Sequence, residues 1–229
     1  MNSAFIQNVM GGTAKLRISR FLISSSYVAG LIGMAGPYLA LFLLLTPFNL
    51  LLSFGILLWN HFPRNAGLWG YVAGAWAVGY FAEVAGVSTG VIFGEYAYGD
   101  VFGWKILETP LLIGVNWAML VYIACETTSR YLPIHWPVGI KWGIASLLPV
   151  LLDVLIEPVA IRTGMWHWYG KMPPLQNYLG WYAVSLLMSA LYFRFIGQAN
   201  RNPVASLLLL MQLLFFLGMN LLSLNRFFL

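Results

Sequence analysis

Charge is scarce in this 229-residue chain: Asp, Glu, Lys and Arg together make up 8% of it, against about a quarter in ordinary soluble domains. That argues against a water-soluble enzyme, and the 60% hydrophobic content points to one integral membrane domain. Cysteine is nearly absent. Cys125 has no partner in the chain, which excludes a disulfide framework. The net charge of +5 is scattered singly, with no basic stripe for nucleic acid. A glycine-rich phosphate loop, a Gly-x-Ser-x-Gly elbow, a paired-cysteine zinc site and HExxH are all missing. No lysine follows Lys171, so the last apolar run lacks the amine that a retinal Schiff base needs. No spacing specifies a metal site, even from Asp153, Glu157 and His167. Acids are missing altogether from residues 1–82 and 158–229.

What is present is a series of long apolar runs. A helix needs about 20 apolar residues to cross the ~30 Å hydrocarbon core. Runs punctuated by Pro, Gly and charge predict an all-α membrane protein with seven spans, near 20–38, 45–60, 66–86, 109–128, 137–157, 177–197 and 203–224. The count falls to six if 21–59, broken only at Pro37, Thr46-Pro47 and Asn49, is divided differently. Residues 1–19 form a polar and basic segment ahead of a single domain over 20–229. With no small-residue cleavage pattern, the first span is expected to stay in the protein. Lys15, Arg17, Arg20, Arg64, Arg130, Lys141, Arg194 and Arg201 fall on one side of this layout. Lys105, Arg162, Lys171 and Arg226 fall on the other, and the positive-inside bias then places the N-terminus in the cytoplasm.

The same layout gathers the acids. Glu83, Glu95, Asp100, Glu108, Asp153 and Glu157 share the outer face, and Glu126 stands near the opposite one, spaced to pair with Arg130. An ionisable group within a span costs about 2.5–3.5 kcal/mol to insert and is a functional candidate by default. Asp153 and Glu157 are four apart, so a regular helix turns both carboxyls the same way. Two carboxyls close together at low dielectric do not both ionise readily, which supplies a buried acid beside a base. Pro158 biases Glu157 away from helical geometry, however. The bland alternative is that each carboxyl caps a helix or pairs with Arg162, Lys105 or Lys171. Glu83 ends a glycine-rich span whose Gly70-xxx-Gly74 spacing allows close helix approach. Its carboxyl is either a third member of the polar cluster or an interfacial acid. The connections 87–108 and 158–176 are too apolar for solvent loops and suggest membrane-lying or re-entrant segments. Their aromatics also suit an interfacial belt.

The succession Phe93-Gly-Glu-Tyr-Ala-Tyr-Gly99, Ile106-Leu-Glu-Thr-Pro-Leu-Leu-Ile-Gly-Val-Asn-Trp117, Asp153-xxx-Glu157-Pro158-Val-Ala160, Gly164-Met-Trp-His-Trp168 and Asn177-Tyr-Leu-Gly-Trp181 resembles the membrane carotenoid hydratases. These are the bacterial carotenoid 1,2-hydratases and archaeal bisanhydrobacterioruberin hydratases of the CruF type. The likeness covers roughly residues 45–197, and Glu157-Pro158 stands where the family often has Asp-Pro. It implies addition of water across the C1–C2 double bond of an acyclic carotenoid end group, giving a tertiary alcohol, with no cofactor. Asp153, Glu157, Glu83 and Glu95 would be catalytic. Tyr96, Tyr98, Trp104, Asn116, Trp117, Trp166, His167, Trp168, Asn177 and Trp181 would line the substrate. The partners implied are a lipid-soluble carotenoid, membrane lipid and other carotenoid enzymes, in the cell membrane of a bacterium or archaeon. A proton-coupled transporter and a carotenoid end-group cyclase are the rival readings, because both use the same carboxyls.

Overall fold

The structure is a computed structural model that describes residues 3–199 and 201–224, with side chains over 12–199 and 201–222. Seven helices account for most of it: α1 (Ser3–Ala35), α2 (Leu39–Asn60), α3 (Ala66–Thr89), α4 (Leu111–Tyr131), α5 (Val138–Thr163), α6 (Leu175–Phe195) and α7 (Ala205–Leu224). Five are long and apolar enough to cross a membrane, namely α2, α4, α5 and the stretches Gly12–Ala35 and Ala205–Leu222 of α1 and α7. This is a membrane protein.

Helix boundaries depart from the expected spans where side chains change the local cost. Helix α1 runs unbroken through the basic segment instead of starting at Arg20. Lys15 extends its long stem so that Nζ reaches the Trp59 carbonyl at 2.6 Å and lies 5.3 Å from that residue's ring centroid, tying α1 to the end of α2. Between residues 21 and 59 the only break is at 36–38, and helix α2 passes straight through Pro47. The helix forgoes one N–H there, a loss that neighbouring helices and hydroxyls tolerate in membrane proteins. Helix α5 likewise continues through Pro149 and Pro158 as far as Thr163, so Glu157 is fully helical and stays in register with Asp153. Gly164, at φ 69°, then supplies the left-handed cap that turns the chain out of α5. Arg226, counted above on the outer side, lies outside the described residues.

Helix α4 is central. It is buried without interruption from Trp117 to Glu126 and packs against α2, α3, α5, α6 and α7. The closest helix approach in α3 is not at Gly74, which meets only Leu191 in ordinary contact. It is shared by Gly67, where a Cβ would collide with the Phe195 carbonyl at the end of α6, and Gly79, where it would collide with Cβ of Trp117. Gly79→Ala is therefore expected to overpack the α3–α4 seam at about 1–3 kcal/mol, seen as a lowered thermal midpoint of the purified protein.

The connections carry strands that the all-α expectation did not include. Strands β1 (Tyr96–Tyr98) and β4 (Trp166–Trp168) form an antiparallel ribbon, as do β2 (Lys105–Ile106) and β3 (Thr109–Pro110). In the first ribbon Tyr96 pairs with Trp168 and Tyr98 with Trp166. This connection is held by strand pairing and by an anchor from α3, where Tyr80 donates to the Ile106 carbonyl at 2.8 Å, while Trp76 donates to the carbonyl of Leu111 at the start of α4 at 3.3 Å.

Candidate functional site

Strand alternation builds the site's roof. Residues two apart on a strand face the same way, so Tyr96 and Tyr98 turn inward with their partners Trp168 and Trp166, while Ala97 and His167 turn away. Tyr96 and Trp168 rings lie 5.0 Å apart and Tyr98 and Trp166 rings 6.1 Å. All four aromatics deliver a polar hydrogen to a carboxyl beneath them. Glu83 accepts from Tyr96 Oη, from Tyr98 Oη at 2.7 Å and from Trp117 Nε1 at 2.7 Å. Glu157 Oε2 accepts from Trp168 Nε1 at 2.9 Å and Trp166 Nε1 at 3.1 Å. Both phenols keep their protons, because burial first, and then the Glu83 carboxylate, push them well above the usual range near 10. They are fixed donors.

Asn177, on the first turn of α6, links the acids of α5. Its Nδ2 donates to Asp153 Oδ2 at 2.8 Å and stands 3.4 Å from Glu157 Oε1. Asp153 is fully buried and its Oδ1 has no hydrogen-bond partner among the described residues. Neither acid is held by the cations weighed above. Arg162 donates to Asn220 Oδ1 at 3.0 Å, and Lys105 bonds Asp100 and the Tyr98 carbonyl.

Beneath the roof is a cavity of about 460 Å³, within the range of small-molecule sites. Glu83, Glu157, Tyr96, Tyr98, Asn116, Trp117, Trp166, Trp168, Asn177 and Trp181 all line it. Trp117 and Trp181 rings sit 4.2 Å apart in its wall. Asp153 does not line it and stands behind Asn177. Three of the residues singled out from sequence lie elsewhere: Glu95 is exposed, Trp104 is 89% exposed, and His167 faces outward against Tyr169. The cavity also extends to residues that sequence reasoning passed over, including Tyr27 of α1, Asn49 of α2 and Gln212 of α7. Among the described residues no three His, Cys, Asp or Glu side chains gather to hold a metal ion.

A second polar cluster closes the opposite end of α4. Glu126 Oε2 accepts the backbone N–H of Arg201 at 2.8 Å and of Asn202 at 3.0 Å, while the exposed Arg130 lies over Tyr131. The expected Glu126–Arg130 pair is thus replaced by a clasp on the chain entering α7. Asn202 Nδ2 donates to Tyr122 Oη at 3.0 Å, and that hydroxyl meets His61 Nδ1 at 2.6 Å. Burial, and then Arg201, lower the His61 pKa from 6.5 to about 4. A depressed basic group stays neutral in the folded state while the unfolded chain takes up a proton below about 6.5. Its contribution to stability is present above that pH and is lost as pH falls toward 4. The thermal midpoint of wild type should therefore drop more between pH 7.5 and pH 5 than that of His61→Gln; equal drops would refute the assignment.

The profile of carotenoid biosynthesis proteins matches residues 41–228, most of the chain. The chain belongs to the carotenoid biosynthesis protein family. Among curated relatives of this family member, the bisanhydrobacterioruberin hydratase of Haloarcula japonica is 31% identical over 120 residues, covering 44% of this chain and 36% of the relative. The matched stretch therefore spans little more than a third of that hydratase. No solved structure matches this carotenoid biosynthesis protein.

Proposed function

We propose that this protein hydrates the C1–C2 double bond of an acyclic carotenoid end group, giving a tertiary alcohol. The observation that carries the reading is the pair of carboxyls, Glu83 and Glu157, opening into one aromatic-walled apolar cavity. A hydrocarbon end group has no polar handle, so such a cavity binds it by burial and shape. Protonating C2 leaves a tertiary carbocation at C1, and that step needs an acid in a dry setting. Glu157 delivers the proton from the carboxyl pair it forms with Asp153. The faces of Tyr96, Trp166, Trp168 and Trp181 stabilise the cation at about 0.5–2 kcal/mol each, and the Glu83 carboxylate, encircled by three donors, adds negative charge. Water attacks C1 and its surplus proton returns to the carboxyl pair, which restores the starting state. No cofactor enters this sequence.

In this reading all seven helices cross the cell membrane of a bacterium or archaeon with the N-terminus inside. The roof and acids then lie toward the outer face, and a lipid-dissolved polyene reaches them from the bilayer. The cyclase reading shares the protonation but ends in loss of a proton instead of addition of water. Expression in cells that accumulate lycopene or γ-carotene, grown in ¹⁸O-labelled water, separates the two. Pigment heavier by one labelled water is the expected result, and altered retention at unchanged mass would show cyclisation.

A further inference from the structure

The polar side chains along the cavity are nearly all engaged. Tyr96, Tyr98 and Trp117 donate to Glu83, Trp166 and Trp168 to Glu157, and Asn177 to Asp153. Ser26 donates to the Ile23 carbonyl at 3.1 Å and Thr46 to that of Phe42 at 3.0 Å. Two carboxamides stand apart. Neither Asn49 nor Asn116 has a side-chain hydrogen bond to any described residue, and the Asn49 oxygen is sealed from the cavity. Asn116 is only partly buried, and neither of its polar atoms is closed off. Helix geometry aims it inward. Successive residues turn by about 100°, so the α4 residues that line the cavity (Ile113, Asn116, Trp117, Met119 and Leu120) form one arc, with Asn116 between Met119 and Trp117. Side chains lean toward a helix's N-terminus, and Asn116 therefore leans the same way as Trp117, whose Nε1 reaches Glu83 Oε1 at 2.7 Å. The open carboxamide lies at the acid end of the cavity.

Protonation of C2 does not by itself make an alcohol. The C1 cation must meet water before it loses a proton, and a water molecule lodged among apolar walls needs about 2–4 polar partners. A hydrocarbon end group has nothing to offer a carboxamide, so water is the reactant that Asn116 can hold. We infer that Asn116 binds the water that captures the C1 cation, and so turns protonation into hydration in place of proton loss or cyclisation. This assignment rests on the hydratase reading and names where its second reactant binds. The Asn116 oxygen accepts one O–H of the water and leaves a lone pair for C1. As the C1–O bond forms, the other proton of the water passes to the carboxyl pair, which has given one to C2. The carboxamide is neutral and takes no proton itself. It orients the nucleophile without competing with the acids.

The test separates cation formation from its capture. Purified protein in nanodiscs is incubated with lycopene in D₂O buffer, and mass spectrometry follows two products. One is the alcohol; the other is unhydrated polyene that has gained deuterium because its cation formed and then lost a proton. Wild type should yield chiefly alcohol. Asn116→Leu should lower the ratio of alcohol to deuterated polyene about 10²-fold, as misplacing a reactant does, and Asn116→Gln, which keeps a carboxamide, should recover part of it. Loss of alcohol and deuterium together in both Asn116→Leu and Asn116→Ala would overturn the inference, because the residue would then serve protonation or folding. Wild-type alcohol with an unchanged ratio in Asn116→Leu would leave the hydratase reading standing and remove the water site alone. No alcohol from wild type would remove both.

Discussion

Glu157→Gln should lower the yield of hydrated pigment by about 10²–10⁴-fold, the range general acids contribute, while Asp153→Asn lowers it less. The two carboxyls share one helix face but not one role. Glu157 lines the cavity, and Asp153 is buried behind Asn177. Glutamine keeps an oxygen for the indole donors Trp166 and Trp168, so the roof stays in place and only the transferable proton is lost. Asparagine at 153 retains an acceptor for Asn177 and alters only the charge beside Glu157. Asp153 is therefore a positioning residue, and its neutralisation should displace the pH profile of hydration as well as reduce its height. The measurement is ¹⁸O incorporation into pigment at several pH values, with membrane insertion checked by the amount of protein in the membrane fraction. Full activity in Glu157→Gln would sink the assignment.

The helices were legible because hydropathy in runs of about 20 residues reports the bilayer itself. Their ends were less so, for a physical reason at each place. Proline reads as a stop in water, yet Pro47 and Pro158 sit inside helices, as membrane helices tolerate. The acids at 83, 153 and 157 stood out because a charge in an apolar run is expensive. What surrounds them was harder to read. Tyr96 meets Trp168 through a strand pair of three residues on each side, too short for any periodic signal to register. The alternation in Tyr-Ala-Tyr and Trp-His-Trp was the available clue, and it also explains why His167 faces outward. Tyr27 and Gln212 lie 185 positions apart, and no local pattern connects residues that only helix packing brings together.

Glu83→Leu is expected to loosen the roof over the cavity and to cost several kcal/mol of stability. The carboxyl holds three buried donors at once: Tyr96 Oη and Tyr98 Oη from β1, and Trp117 Nε1 from α4. Leucine fills similar space but accepts nothing, and each buried donor left unmet costs about 1–3 kcal/mol. The strand then loses its main tie to the helices, and Lys105, whose Nζ reaches back to the Tyr98 carbonyl at 2.8 Å, loses its own. Limited trypsin digestion of the purified protein should show cleavage after Lys105 in Glu83→Leu at protease levels that leave wild type whole. Removing the donors as well should reverse part of the damage. Tyr96→Phe and Tyr98→Phe placed in the Glu83→Leu background leave two fewer polar groups stranded, and the triple variant should melt above the single one, although each Tyr→Phe change alone lowers the midpoint of wild type. This reversal of sign distinguishes a carboxyl that is needed because donors surround it from one that merely fills space, and an unchanged midpoint in Glu83→Leu would assign it the second role.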